Sequence, residues 1–165
     1  MQNNSRYLKW CLRQEKGIRL VTPSDNLLMA YLEKSHNALK SMEVNAQAGI
    51  TEWAVSASYY AKYFAVYALF AKIGVKCEIH DCTIALFSDL FDTAQFHHLA
   101  RDLRKSKENR IDAQYYSTEI KVNLDELMLR TKEFALQIEE LIDGLTAQEI
   151  ANLQKRLRAI ASDKK

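Results

Sequence analysis

Thr51 to Gly74, TEWAVSASYYAKYFAVYALFAKIG, encloses the most apolar stretch of the chain, Trp53 to Ile73. At 1.5 Å per residue it predicts a helix of about 34 Å, capped by Thr51 and stopped by Gly74. A helix that is apolar nearly all round must be enclosed by others, so this one is the central strut of its fold. Ala54, Ser58, Ala61, Ala65 and Ala68 form a track of small residues along it, where a neighbouring helix can approach closely. Tyr60, Phe64 and Tyr67 line another side with bulk, which serves as core, as a subunit interface or as the wall of a polar pocket. Ser56, Ser58, Lys62, Lys72 and the tyrosines inside the run argue against a membrane span.

Outward from the strut, Gly17, Pro23, Gly49 and Gly144 likewise fall between periodic segments, which marks the segments as helices. A short helix is expected over about Arg6 to Glu15, with Tyr7, Trp10 and Cys11 on one side. Ser24 caps a second helix with Leu28, Tyr31, Leu32, Leu39 and Met42 on its apolar face. Beyond the strut, helices are expected from about Asp81 to Asp92 and from about Ala94 to Lys107. Asn123 with Glu126 reads as a capping box before Leu127, Phe134, Ile138 and Leu141, and Thr146 with Glu149 repeats the device before Ile150, Leu153, Leu157 and Ile160. No alternating run supports a sheet and no period supports a solenoid. The expected fold is all-α, an up-and-down helical bundle around a long central helix. It forms one domain over residues 1–165, with a short N-terminal helical extension (about 1–20) and a C-terminal helix (about 146–162).

Composition fits this reading: 48% hydrophobic and 27% charged residues over 165 positions suffice for one core. The net charge of +2 is too small to hold nucleic acid by bulk attraction, so any polyanion site must be local. Met1 to Leu20 is basic through Arg6, Lys9, Arg13, Lys16 and Arg19, and Asp125 to Asp143 is acidic. The N-terminus lacks the greasy core of a secretory signal. Cys11, Cys77 and Cys82 read as thiols serving as small hydrophobes in a reducing compartment, so a cytoplasmic location is expected.

Asn109 to Val122, NRIDAQYYSTEIKV, has no helical apolar face and reads as a polar loop bearing Arg110, Asp112, Gln114, Tyr115 and Tyr116. Such a loop either carries function or merely connects two helices. Ahead of it Arg101, Arg104, Lys105, Lys107 and Arg110 outnumber Asp102 and Glu108. Within that run Arg110 is the candidate for gripping a phosphate, the alternative being a solvated helix face. His80, inside CEIHDC, is expected to start a helix at Asp81, with acid–base work as its other role. The spacing around it is not a zinc knuckle, and neither a metal nor another cofactor is expected. No glycine-rich phosphate loop, HExxH or GxSxG is present.

Glu52 to Phe87 followed by RIDAQYY resembles the HEPN domains of archaea and bacteria, named for nucleotide binding in prokaryotes and higher eukaryotes. Ser58, Tyr59, Tyr60, Ala61, Tyr63, Ala65, Gly74, His80, Arg110, Ala113 and Tyr115 carry the resemblance, which spans about Gly17 to Phe134. It implies a helical bundle, often a homodimer, and frequently a small nucleotidyltransferase as partner in a toxin–antitoxin arrangement. Many such domains are metal-independent ribonucleases whose motif is an Arg followed by a His, shared across the dimer cleft. Arg110 matches the Arg, but Tyr115, with Tyr116 beside it, stands where the His is expected. A phenol with a pKa of about 10 donates a hydrogen bond or stacks on a base but is a poor general base at neutral pH.

The first functional expectation is therefore a nucleotide- or RNA-binding module using Arg110, Asp112, Gln114, Tyr115, Tyr116, His80 and Tyr60. The alternative is a ribonuclease in which Arg110 steadies phosphate while His80 or Tyr115 moves the proton. A purely structural interaction protein is the third.

Overall fold

A computed structural model describes residues 2–91, 93, 96–116 and 121–162 of the chain. Its helices are α1 (Gln2–Cys11), α2 (Asp25–Gln47), α3 (Thr51–Ile73), α4 (His80–Leu90), α5 (His97–Tyr115), α6 (Leu124–Gly144) and α7 (Ala147–Ser162). The all-α bundle expected from the sequence is the observed architecture, and α3 is its axis.

The strut is enclosed because both kinds of side chain on it are used. Ala54, Ser58, Ala61, Ala65 and Ala68 are all buried. Along this track α2 comes close enough for Ser35 Oγ to donate to the carbonyl of Ala61 at 2.8 Å. Ser58 and Thr131 join α3 to α6 through their hydroxyls at 2.7 Å. Gly74 ends the helix in the left-handed conformation, φ 74°. A Cβ there would lie 2.5 Å from the carbonyl oxygen of Val21, so glycine is required twice over.

Several local expectations are corrected. Ile50, not Thr51, occupies the N-cap of α3, and Thr51 is its first helical residue. α1 lies earlier in the chain than expected, and α4 begins at His80 itself. At α6, Asn123 Oδ1 accepts from the N–H groups of Asp125 and Glu126 at 3.0 and 3.1 Å, but Glu126 turns to Arg130 instead of completing a box. The Thr146–Glu149 box is reciprocal. A two-residue antiparallel ribbon, β1 (Arg19–Leu20) on β2 (Val75–Lys76), was not expected.

The cysteine reading is overturned. Cys11 and Cys82 form a disulfide across a sequence separation of 71, and only Cys77 is a free, buried thiol. The bond staples α1 onto α4, a contact between distant segments that no local pattern announces.

The segment from Asn109 to Tyr115, read as loop, is the last part of α5. Nothing in RIDAQYY breaks a helix, and a stretch lying against its neighbours through few side chains needs no continuous apolar face. Of the rest of that segment, residues 117–120 lie outside the described residues. Among the described residues, no helix is long and apolar enough to cross a membrane.

Candidate functional site

α3, α4 and α5 bring a set of aromatic and basic side chains together. Arg110 on α5 is half-buried, and its Nη1 donates to the hydroxyl of Tyr60 on α3 at 3.1 Å. Its guanidinium carbon stands 5.4 Å from the Tyr59 ring centre and 5.8 Å from that of Tyr60, within cation–π range. No carboxylate pairs with it among the described residues. Its Nε is buried without a hydrogen-bond partner.

His80 is reached through the same tyrosine. Tyr59 Oη and His80 Nδ1 are 2.5 Å apart, and the imidazole stacks on Tyr63 with ring centres 4.2 Å apart. Burial lowers the pKa of His80 below its usual 6.5, the charges of Arg110 and Lys107 lower it further, and Asp81 opposes them. The ring is therefore neutral at physiological pH. Burial also raises the Tyr59 phenol well above its usual value, with Arg110 acting against the rise. Tyr59 keeps its proton, and Nδ1 is the acceptor it meets among the described residues. With Tyr59 as donor to Nδ1, the neutral ring carries its proton on Nε2.

Asp81 takes Lys107 at 2.5 Å, so the carboxylate nearest the imidazole is already neutralised. Burial pushes up Tyr63 and Tyr67 as well. The Tyr63 hydroxyl donates to Tyr67, which donates to the carbonyl of Cys77. The floor of the site is thus a run of neutral phenols, and its two cations come from α5.

Of the residues singled out in the sequence, Tyr60, His80 and Arg110 come together. Gln114, one turn beyond Arg110, shares its side of α5, whereas Asp112 falls on the opposite side. Tyr115 and Tyr116 close the helix at 73% and 60% exposure, clear of the aromatic floor. His80 opens α4, one residue before the expected start at Asp81, and its side chain also reaches back to α3.

The helix also divides the basic run. Lys107 and Arg110 face α3 and α4, while Arg101 and Lys105 line a groove of about 620 Å³ with Arg130 and Phe134 of α6. Tyr59, Tyr63 and Lys107 were not among the predicted site residues. The signals available were the spacing of Lys107 three residues before Arg110 and the tyrosine pair at 59 and 60. Among the described residues, no cluster of three or more His, Cys, Asp or Glu side chains is arranged to hold a metal ion.

The family model of the HEPN domain matches residues 28–158, and the chain belongs to the HEPN domain family. The match starts later than the resemblance seen in the sequence and continues past Phe134 into α7. Membership ties the chain to nucleotide- or RNA-related function in general terms. No curated protein matches it.

Proposed function

We propose that this protein is a nucleotide- or RNA-binding module in which Arg110 takes a phosphate and Tyr60 offers its ring to the base. The observation that carries the reading is Arg110 itself: a half-buried guanidinium without a carboxylate, laid over two tyrosines, with a buried Nε left unpaired. An unsatisfied buried donor costs about 1–3 kcal/mol, and a phosphate that draws the side chain slightly outward recovers that energy in charge-assisted bonds. His80 contributes Nε2–H as a second donor. Gln114, Tyr115 and Tyr116 provide further contacts from the exposed end of α5, and Asp112, on its far side, drops out of the set.

Ribonuclease chemistry is the second reading, favoured by the link from Arg110 through Tyr59 to His80. Its difficulty is the proton: an imidazole whose Nδ1 accepts from Tyr59 and whose Nε2 is protonated donates hydrogen bonds and is not poised as a base. A structural interaction protein is what remains if neither ligand nor cleavage is found.

The homodimer, the nucleotidyltransferase partner and the toxin–antitoxin setting rest on the family likeness, the single domain over residues 1–165 rests on apolar content sufficient for one core, and all belong to the same proposal. So does the cytoplasmic location, against which stands the Cys11–Cys82 bond, of a kind that forms in oxidising surroundings. Alkylation in intact cells followed by mass spectrometry reports which state those thiols hold.

Titration of the metal-free protein with nucleoside monophosphates and short RNA tests the main reading. Saturable binding is expected, weakened at least about tenfold in Arg110→Ala and only partly restored in Arg110→Lys, which keeps the charge but not the fork. RNA cleavage abolished by Arg110→Ala would establish the enzyme instead. No saturable binding would end both.

A further inference from the structure

The N-terminal arm lies outside the stretch matched by the HEPN model, which begins at residue 28. It is nevertheless fastened beside the site at three places. The Cys11–Cys82 bond holds the end of α1 to α4 two residues past His80. The Glu78 N–H donates to the carbonyl of Lys16 at 2.8 Å, and Arg19 and Leu20 pair with Lys76 and Val75. Leu8 and Cys11 bury the inner side of α1.

The outer side of α1 carries a stacked pair, Tyr7 and Trp10, with ring centres 5.5 Å apart and planes 21° apart. Both are exposed, at 37% and 41%. Tyr7 feels the charges of Asp81, which raises its pKa alongside burial, and of Arg104, which lowers it. Asp81 is the neighbour of His80 and the partner of Lys107, so the pair lies on the flank of the nucleotide site. Arg6, Arg13 and Arg104 are exposed and make no ion pair among the described residues. From Arg104 to Arg110 the helix rises about 9 Å.

We propose that the arm is the second half of an extended site for single-stranded RNA, in which Tyr7 and Trp10 stack an unpaired base of a strand whose phosphate is held at Arg110. Arg104 and Arg6 neutralise phosphates on either side of that base, and the Cys11–Cys82 bond keeps the aromatic pair in position. Charge and ring chemistry choose the occupant: guanidinium groups beside stacked aromatic faces suit unpaired bases on a polyanion, with little regard to sequence. The inference rests on the nucleotide reading of the Arg110 site.

The test uses the full chain carrying Trp53→Phe, which leaves Trp10 as its only tryptophan, titrated with adenosine monophosphate and with an adenosine RNA hexamer. The hexamer is expected to quench Trp10 and to bind about tenfold or more tighter than the monophosphate. Tyr7→Ala with Trp10→Ala should remove that advantage and leave monophosphate affinity unchanged, while Trp10→Phe restores part of it. Cys11→Ser should also diminish it, by freeing the arm. Hexamer affinity indifferent to the double variant, or Trp10 unquenched while the monophosphate binds, would overturn the arm and leave the Arg110 site standing. A Trp10 response to anionic phosphatidylserine vesicles but not to RNA would likewise overturn it, in favour of a membrane-facing helix. If neither ligand binds, the Arg110 reading itself falls.

Discussion

Lys62 is 2% exposed on the strut, so its ammonium has to be answered locally. Asp102 accepts from it at 2.8 Å and Ser106 at 2.9 Å, and the Phe134 ring lies 5.7 Å away. Burial lowers its pKa while Asp102 pulls it back up. Lys62→Ala is expected to cost roughly 3 kcal/mol by stranding its partners and leaving a cavity, and Lys62→Met less because it refills the space while stranding the same partners; urea unfolding measures both. His80 makes a prediction about pH. Its folded pKa lies below the usual 6.5, so between the two values the unfolded chain binds more protons. Stability is then fully present above pH 6.5 and declines as pH falls from there towards the folded value. Denaturation series in His80→Gln should show that acid-side decline reduced. At this scale the sequence was legible in type but not in company: Arg110 and His80 stood out as candidates, but the phenol that links them lies on another helix. Helical phase turns Asp112 to the far side of α5 from Arg110, a direction that a loop reading of the stretch does not reveal.

On the strut, the track of small residues is where α2 comes close, with Ala61 fully buried and its carbonyl taken by Ser35. Ala61→Leu forces added volume into that contact and is expected to cost about 1–3 kcal/mol, read as a lower denaturation midpoint with secondary structure retained. The helices themselves were largely legible, because Pro23 and the glycines punctuate them and Ser24, Asn123 and Thr146 carry cap chemistry. Boundaries failed where the backbone gives no such signal. Thr51 looks like a cap, yet Ile50 occupies the position without a side-chain bond, and α5 continues through a polar stretch in which neither glycine nor proline stops it.

Across the molecule, three distant ties close the bundle on itself. Gln154 donates to the carbonyl of Ile73 at 3.0 Å, Arg156 grips Asp89 at 2.9 Å, and Cys11 is bound to Cys82. The disulfide closes a sequence separation of 71, for which chain entropy alone gives about 4 kcal/mol. Guanidinium unfolding with and without dithiothreitol should differ by up to that amount, and Cys11→Ser should make the two curves coincide. None of these ties was legible, because long-range partners are chosen by packing and leave no periodic trace. The covalent one also decides how the protein answers mechanical force. Pulled by its two ends, the oxidised chain cannot transmit tension into the segment between Cys11 and Cys82, which contains all of α2 and α3. The central strut and its closest neighbour are shielded from the load, and roughly 240 Å of contour length stays locked away until the bond is reduced.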